Sequence, residues 1–173
     1  MNNIKDQVSK LKVDALYGKK KHFNAADRKN NLHYWIGIPS IVINILTSSI
    51  LLYVLTDSVN NWLKYVPLVF ALVASILSGL LTFLNLQKKV EGHRRVGNKY
   101  LAVMKKCKRF QAYINDNEIS SDCLISEIES IASEINIINI EAESFPTNNN
   151  DYELARKGIE LGEKNYTETE LNL

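Results

Sequence analysis

Two uncharged apolar runs constrain the fold of this chain more than any other feature of its sequence. Residues 33–55 and 65–86 contain no Asp, Glu, Lys or Arg, and each run has more than 20 residues. A helix rises about 1.5 Å per residue, so about 20 residues cross a hydrocarbon layer about 30 Å thick. The chain has 173 residues, too few to bury two helices that are apolar all round in a soluble core. The runs therefore predict an all-α membrane protein built on a two-helix transmembrane hairpin.

Basic residues flank the two runs and are almost absent between them. Residues 1–32 carry eight Lys or Arg against three acids, and residues 87–110 carry nine against Glu91 alone. The connector at 56–64 holds one acid and one base. Because Lys and Arg near the ends of a span stay on the cytoplasmic side, we expect both termini in the cytoplasm and the connector outside.

Aromatic and basic side chains mark the expected ends of the spans. Partly polar rings favour the headgroup depth of a bilayer, and lysines extend to its charged surface. Pro39 lies within the first two turns of the first run, where a missing hydrogen bond is tolerated best. The expected membrane-interface anchors are His33, Tyr34, Trp35, Trp62, Tyr65, Lys88 and Lys89.

Each span carries its polar residues on one helical face. These are Ser40, Asn44, Thr47 and Ser48 in the first run and Ser75, Ser78, Gly79, Thr82 and Asn85 in the second. Small and hydroxyl residues allow close helix packing in lipid, in the hairpin itself or in an oligomer. The same faces would line a water path if several hairpins formed a ring, and the sequence leaves both interpretations open. Since neither span holds a charge, such a pore would be weakly ion-selective.

The rest of the chain predicts a cytoplasmic helical bundle. An apolar stripe over 2–17 predicts an amphipathic helix that ends near Gly18, followed by a short juxtamembrane helix. We expect this stripe to pack on neighbouring helices or to lie on an anionic leaflet. Apolar spacing of +3 and +4 continues past Leu86 to Ile114, so the second span is predicted to leave the membrane as one unbroken helix.

An acidic helix that ends before Pro146 follows this basic helix. Opposite charges favour an antiparallel pair within the chain, although Ile at both core positions leaves a higher assembly open. The patterns divide the chain into four segments. Residues 1–32 form an amphipathic and juxtamembrane segment, 33–86 the transmembrane hairpin, 87–145 a cytoplasmic antiparallel helical hairpin, and 146–173 a linker, a short helix and an acidic tail.

No pattern in the sequence predicts catalytic chemistry. There is no Gly-rich phosphate loop, no Ser/His/Asp grouping and no Cys/His metal spacing. Cys107 and Cys123 fit small core residues in a reducing compartment. The basic patches lie beside the spans, where lipid headgroups explain them better than nucleic acid. We therefore expect no enzymatic activity, no cofactor, no metal and no nucleic-acid partner.

A short signature, together with the overall arrangement, resembles a known family. The signature residues are Tyr17, Gly18, His22, Phe23 and Ala26 around the basic triplet 19–21, with Gly37 and Pro39 opening the first span. With the two spans and the basic continuation, about residues 10–160 resemble the SLATT family, the SMODS and SLOG-associating two-transmembrane effectors of bacterial conflict systems.

The resemblance implies an oligomeric effector of the bacterial inner membrane that forms a pore or disrupts the bilayer in anti-phage defence. It also implies activation by a separately encoded nucleotide or protein sensor. The expected partners are therefore membrane lipid, further copies of the chain and that cytosolic sensor. A competing hypothesis is a non-conducting membrane anchor or scaffold that recruits a cytosolic partner through the helical hairpin.

Overall fold

The computed structural model describes residues 2–56, 61–116 and 121–163, and all regular structure in these ranges is helical. The helices are α1 Asn2–Thr56, a 3-10 turn Asn61–Tyr65, α2 Val66–Leu84, α3 Leu86–Asn115, α4 Ser121–Glu143 and α5 Asn149–Glu160. They form two compact units. We call Met1–Ala26 with Glu91–Leu173 the helical body, and Asp27–Val90 the apolar pair.

Two helical stretches are long and apolar enough to cross a membrane. They are Asn3–Leu55 and Val66–Asn115, whose most apolar 18 residues have mean hydropathies of 2.0 and 2.3. Only 6% and 11% of these windows are buried within the protein, whereas a helix in a soluble core is mostly buried. Trp35 and Phe83 are 79% and 86% exposed. Apolar surface of this extent suits a lipid environment, and the predicted all-α fold with two helices able to span a membrane is confirmed.

The two helices of the apolar pair run antiparallel and approach closely at small residues. The Ser40 and Ser78 hydroxyl oxygens lie 3.2 Å apart. One turn away, a Cβ built on Gly37 would lie 3.8 Å from Leu81 Cδ1. Ala74 lies one turn before Ser78 on α2 and is also buried. Small side chains allow two backbones to approach without hydrophobic sorting, which lipid does not provide.

α1 is one continuous helix, so two predicted boundaries are wrong. The N-terminal helix does not end near Gly18, and no separate juxtamembrane helix follows it. Gly18 has a packing role instead, because a Cβ at this position would lie 2.8 Å from the Tyr100 ring. Pro39 was expected in the first turns of a helix but lies in the interior of α1. At this position the missing N–H of proline removes one backbone hydrogen bond of the helix.

The prediction that one unbroken helix continues through the second run is also wrong, because the helix is interrupted at one residue. α2 ends at Leu84, Asn85 has the left-handed angles φ 44° and ψ 47°, and α3 begins at Leu86. Asn tolerates this region better than most non-glycine residues. The Asn85 N–H donates to the Leu81 carbonyl at 3.2 Å, and the Lys89 N–H donates to the Asn85 carbonyl at 3.3 Å. The interruption is therefore confined to a single residue.

α3 and α4 pack antiparallel in the helical body, the arrangement that their opposite charges favour. Lys106 Nζ lies 2.6 Å from Glu134, and Arg95 Nε lies 2.7 Å from Glu141. Between these ion pairs, apolar side chains from both helices are buried in one core. Its members from α3 and α4 include Val96, Tyr100, Val103, Cys107, Phe110, Leu124, Ile131, Ile135 and Ile138.

The N-terminal part of α1 belongs to the same core. Val8 and Ala15 are completely buried there. Lys12 Nζ donates to the Gln111 side-chain oxygen at 2.7 Å, and Gln111 Nε2 donates to the Ser9 hydroxyl at 2.9 Å. Of the two sequence interpretations of this amphipathic stripe, the structure therefore supports packing on neighbouring helices.

Candidate functional site

Three of the four side chains on the polar face of α1 donate hydrogen bonds within their own helix. Asn44 Nδ2 donates to the Ser40 carbonyl at 2.9 Å, and the Ser48 hydroxyl donates to the Asn44 carbonyl at 3.0 Å. The Thr47 hydroxyl donates to the Ile43 carbonyl at 2.7 Å. Bonds of this kind let hydroxyl side chains remain in lipid without water. Ser40 is buried against α2, whereas Asn44 and Ser48 are exposed.

The polar face of α2 is exposed, and among the hydrogen bonds described here it contacts α1 through Ser78. Ser75, Ser78, Gly79, Thr82 and Asn85 are all exposed. The Thr82 hydroxyl donates to the Ser78 carbonyl at 3.0 Å. A Cβ built on Gly79 would meet no described atom within 4 Å. Within the described residues, the hydrogen bond between Ser40 and Ser78 joins the two predicted polar faces, whereas Ser75, Gly79 and Thr82 stay exposed.

The predicted interface anchors are mostly exposed. Tyr34, Trp35, Trp62 and Tyr65 expose more than half of their surfaces, and Lys88 and Lys89 are exposed as well. His33 is half-buried, with its ring centroid 5.9 Å from that of Tyr34. Exposed aromatic rings and lysines suit the headgroup layer of a bilayer, where one end of the side chain is apolar and the other is wet.

Five signature residues form one packed cluster in the helical body. The rings of Tyr17 and Tyr152 stack with centroids 5.6 Å apart. Phe23 packs against Gly97, where a Cβ would lie 3.4 Å from the Phe23 ring. Gly18 lies against Tyr100, and Ala26 is fully buried. The other two signature residues, Gly37 and Pro39, belong to the apolar pair.

The fifth member of the cluster, His22, makes a buried contact that the sequence did not predict. Its Nδ1 lies 3.1 Å from Nδ1 of His93, so one imidazole donates the hydrogen and the other accepts it. The two side chains are 2% and 0% exposed. Burial, followed by the positive charges of His93 and Lys21, lowers the pKa of His22 from 6.5 to about 4, against an opposing effect of Asp151. At neutral pH the His22 imidazole is therefore uncharged.

Comparison with known protein families decides the identity of the fold. The family model for the SMODS and SLOG-associating 2TM effector domain, family 4, matches residues 4–170. The chain belongs to this SLATT family. It is accordingly a two-transmembrane effector domain of conflict systems, as the signature predicted. No curated protein and no solved structure matches the chain significantly.

α5 holds the signature cluster of this SLATT domain from the outside. Asn24 Nδ2 donates to the Asp151 carbonyl at 3.0 Å, and the almost buried Lys20 ammonium lies 2.7 Å from Glu163. Glycine at position 158 leaves room for the Lys20 side chain, because a Cβ there would lie 2.5 Å from Lys20 Nζ. The sequence predicted a short helix in this region but not its contacts.

One sequence signal for the start of α5 was missed. Asn148 and Asp151 form a capping box, in which each side chain accepts a hydrogen bond from the backbone N–H of the other at 2.9 Å. The Asn-x-x-Asp spacing is a variant of the known N-terminal helix signature. Within the described residues of the SLATT domain, no group of three His, Cys, Asp or Glu side chains could hold a metal ion.

Proposed function

We propose that this SLATT domain is an oligomeric effector of the bacterial inner membrane whose assembled helix pairs form a pore or disrupt the bilayer. The exposed polar face of α2 is the observation that carries the proposal. It presents small and polar side chains where a helix in contact with lipid alone would present apolar ones. Further copies of the chain, or water inside a ring of copies, would cover this face.

The topology of the proposal rests on contacts within the helical body. His22 precedes the first span and His93 follows the second, yet their side chains are in contact. This contact supports placing both segments on the same side of a membrane, which corresponds to an even number of crossings. The basic residues around both spans favour the cytoplasm for that side, by the positive-inside rule.

The need for assembly follows from the number of helices. Two helices cannot enclose water, so a single chain has no conducting path. Gly79 offers a close approach to a second helix, since its surroundings are open in the single chain. A ring of copies would place Ser75, Ser78 and Thr82 either between subunits or along the water path.

The helical body is the part on which an activating signal would act. We place a separately encoded sensor on the body and lipid around the apolar pair, because the body presents a large charged and folded surface outside the spans. In this function the protein harms the cell that carries it when the sensor detects infection. Weak ion selectivity is expected, since no charged residue lies within either run.

One observation favours the second candidate function, a non-conducting scaffold. α4 exposes 62% of Ile137 and 67% of Ile140, on the helical body and outside both spans. Apolar surface of this kind suits a cytosolic partner. A scaffold would bind that partner without releasing the contents of a vesicle, so conductance distinguishes the two candidates.

The experiment compares dye release from liposomes for the wild type, Gly79→Leu and Val73→Leu. Both substitutions place a leucine on an exposed part of α2, and their positions are about 120° apart around the helix. We expect Gly79→Leu to abolish release and to lower the subunit number measured in detergent, while Val73→Leu leaves both unchanged. A wild-type protein that releases no dye, in the presence of an activating cell extract as well as in its absence, would leave the scaffold as the function.

A further inference from the structure

Four segments of the helical body surround an open cleft of about 490 Å³. α1 contributes Val13, Asp14, Tyr17, Gly18 and Lys21, and the other walls come from Tyr100, Ile135, Asn139 and Tyr152. This volume lies in the range of about 300–1,000 Å³ that is typical of sites for small molecules. The cleft lies entirely outside the two spans, and no step of the proposed pore uses it.

One wall of the cleft is aromatic. Tyr17 and Tyr152 stack with ring planes 25° apart, and Tyr152 remains 45% exposed. The buried ring of Tyr100 lies against Gly18, and this contact forms the floor. A stacked pair that is open to solvent on one side offers a flat apolar surface on which a further planar ring can stack.

Hydrogen-bond donors converge on the same cleft. The Tyr100 hydroxyl donates to Asn139 Oδ1 at 2.5 Å, which orients the Asn139 amide so that its NH₂ group remains as a donor. Lys21 also lines the cleft and carries a positive charge. Asp14 lies about 10 Å from Lys21 along α1, two helical turns away, so the two ends of the cleft have opposite charges.

We propose that this cleft binds a small planar ring compound that carries one anionic group. The ring stacks on Tyr152, and the anion is held by Lys21 and the Asn139 amide. Asp14 disfavours the reversed orientation through like-charge repulsion. The ligand would bridge α1, α4 and α5, so it would stabilise the packing of the helical body. The proposal does not depend on whether the apolar pair conducts ions.

The experiment uses the full chain in lipid nanodiscs, with 3-fluorotyrosine in place of tyrosine, and follows the fluorine resonances by NMR. Three probes share one ring and differ in charge: indole-3-acetate, indole-3-acetamide and tryptamine. We expect indole-3-acetate to shift the Tyr17 and Tyr152 resonances, the amide to bind about fivefold more weakly, and the amine not to bind. Tyr34 and Tyr65 in the apolar pair report non-specific partitioning into lipid.

Two variants test the assigned contacts. Lys21→Met should weaken indole-3-acetate about fivefold, whereas the exposed Lys10→Met should have no effect. If Lys21→Met disturbs the fold, Asn139→Asp provides a second test at an exposed residue. This substitution adds a negative charge beside the anionic group of the ligand and should also weaken binding. Equal affinity for the three probes, shifts confined to Tyr34 and Tyr65, or no shift at millimolar probe would each overturn the proposal.

Discussion

The helical body and the apolar pair satisfy their polar side chains in opposite ways. In the body, polar groups are paired between helices that are far apart in sequence, as in His22 with His93 and Lys20 with Glu163. In the apolar pair, most hydroxyls donate to a carbonyl four residues earlier in the same helix, and among the described hydrogen bonds only Ser40 with Ser78 joins the two helices. The polar groups of the body are therefore paired across its helices, whereas the pair leaves most of its surface exposed.

This difference predicts where substitutions act. Changes in the helical body should lower the free energy of unfolding, because tertiary contacts are lost. Changes on the exposed faces of the apolar pair should leave that free energy nearly unchanged and should alter assembly or conductance instead. Substitutions of Gly18 in the body and Gly79 in the apolar pair should differ most in their effect on the free energy of unfolding.

Gly18→Val should destabilise the protein by about 3 kcal/mol, because the new side chain has to displace the buried Tyr100 ring. Gly79→Val is the matched control, since its Cβ would meet no described atom within 4 Å. We expect its unfolding free energy to stay within about 0.5 kcal/mol of the wild type. Denaturant unfolding of the body, followed by circular dichroism, measures both. Equal losses for the two variants would contradict the comparison.

Acidification should destabilise the helical body by on the order of 2 kcal/mol. The pKa of His22 is about 4 in the folded state and 6.5 when exposed, so the unfolded chain binds more protons between these values. Stability is therefore complete above pH 6.5 and falls as the pH decreases towards 4. Thermal unfolding across this interval measures the slope.

His22→Asn supplies the control for this pH dependence. The variant should show a flatter profile between pH 6.5 and 4, while His33→Asn, in the apolar pair, should keep the wild-type slope. A slope that persists in His22→Asn would assign the effect to other groups, among which His93, Lys21 and Asp151 face His22 and contribute to its pKa.

Glu163→Gln should cost about 1 kcal/mol, because it leaves the nearly buried Lys20 ammonium without its carboxylate. The carboxylate itself is 57% exposed, which limits the effect through solvent screening. Glu160→Gln is the matched control, since it removes only a solvent-exposed pair with Arg156 on α5 and should cost clearly less. Urea unfolding distinguishes the two, and an equal loss would mean that burial of Lys20 does not matter.

Hydropathy and charge were sufficient to predict the all-α fold and the two spans, because these depend on composition over long windows. The continuity of α1 was not predictable in the same way. A glycine after an apolar stripe is typical of a helix end, and only the Tyr100 ring, which is remote in sequence, explains Gly18 inside a helix. Similarly, Asn85 fitted the polar face of α2, and its left-handed backbone has no local signal that separates it from that role.

The candidate sites show the same limit. The periodicity of residues such as Ser75 and Thr82 placed them correctly on one helical face, but it did not show that the face is exposed. The contact of His22 with His93 joins positions that are 71 residues apart, and no spacing rule connects them. Tertiary contacts between helices decide these features, and a single sequence contains no direct record of them.

Thr82→Val should have the smallest effect on the fold, about 0.5 kcal/mol or less, because valine has nearly the same shape and the lost hydroxyl was bonded within its own helix. It nevertheless separates the two roles of the α2 face. If Thr82 lines water, single-channel conductance should fall while the subunit number stays constant. If Thr82 packs between subunits, conductance should be unchanged or assembly strengthened.

Thr47→Val is the matched control, since the Thr47 hydroxyl is bonded in the same way but the residue is half-buried. A conductance loss of equal size in both variants would show that the exposed face of α2 has no special part in the water path.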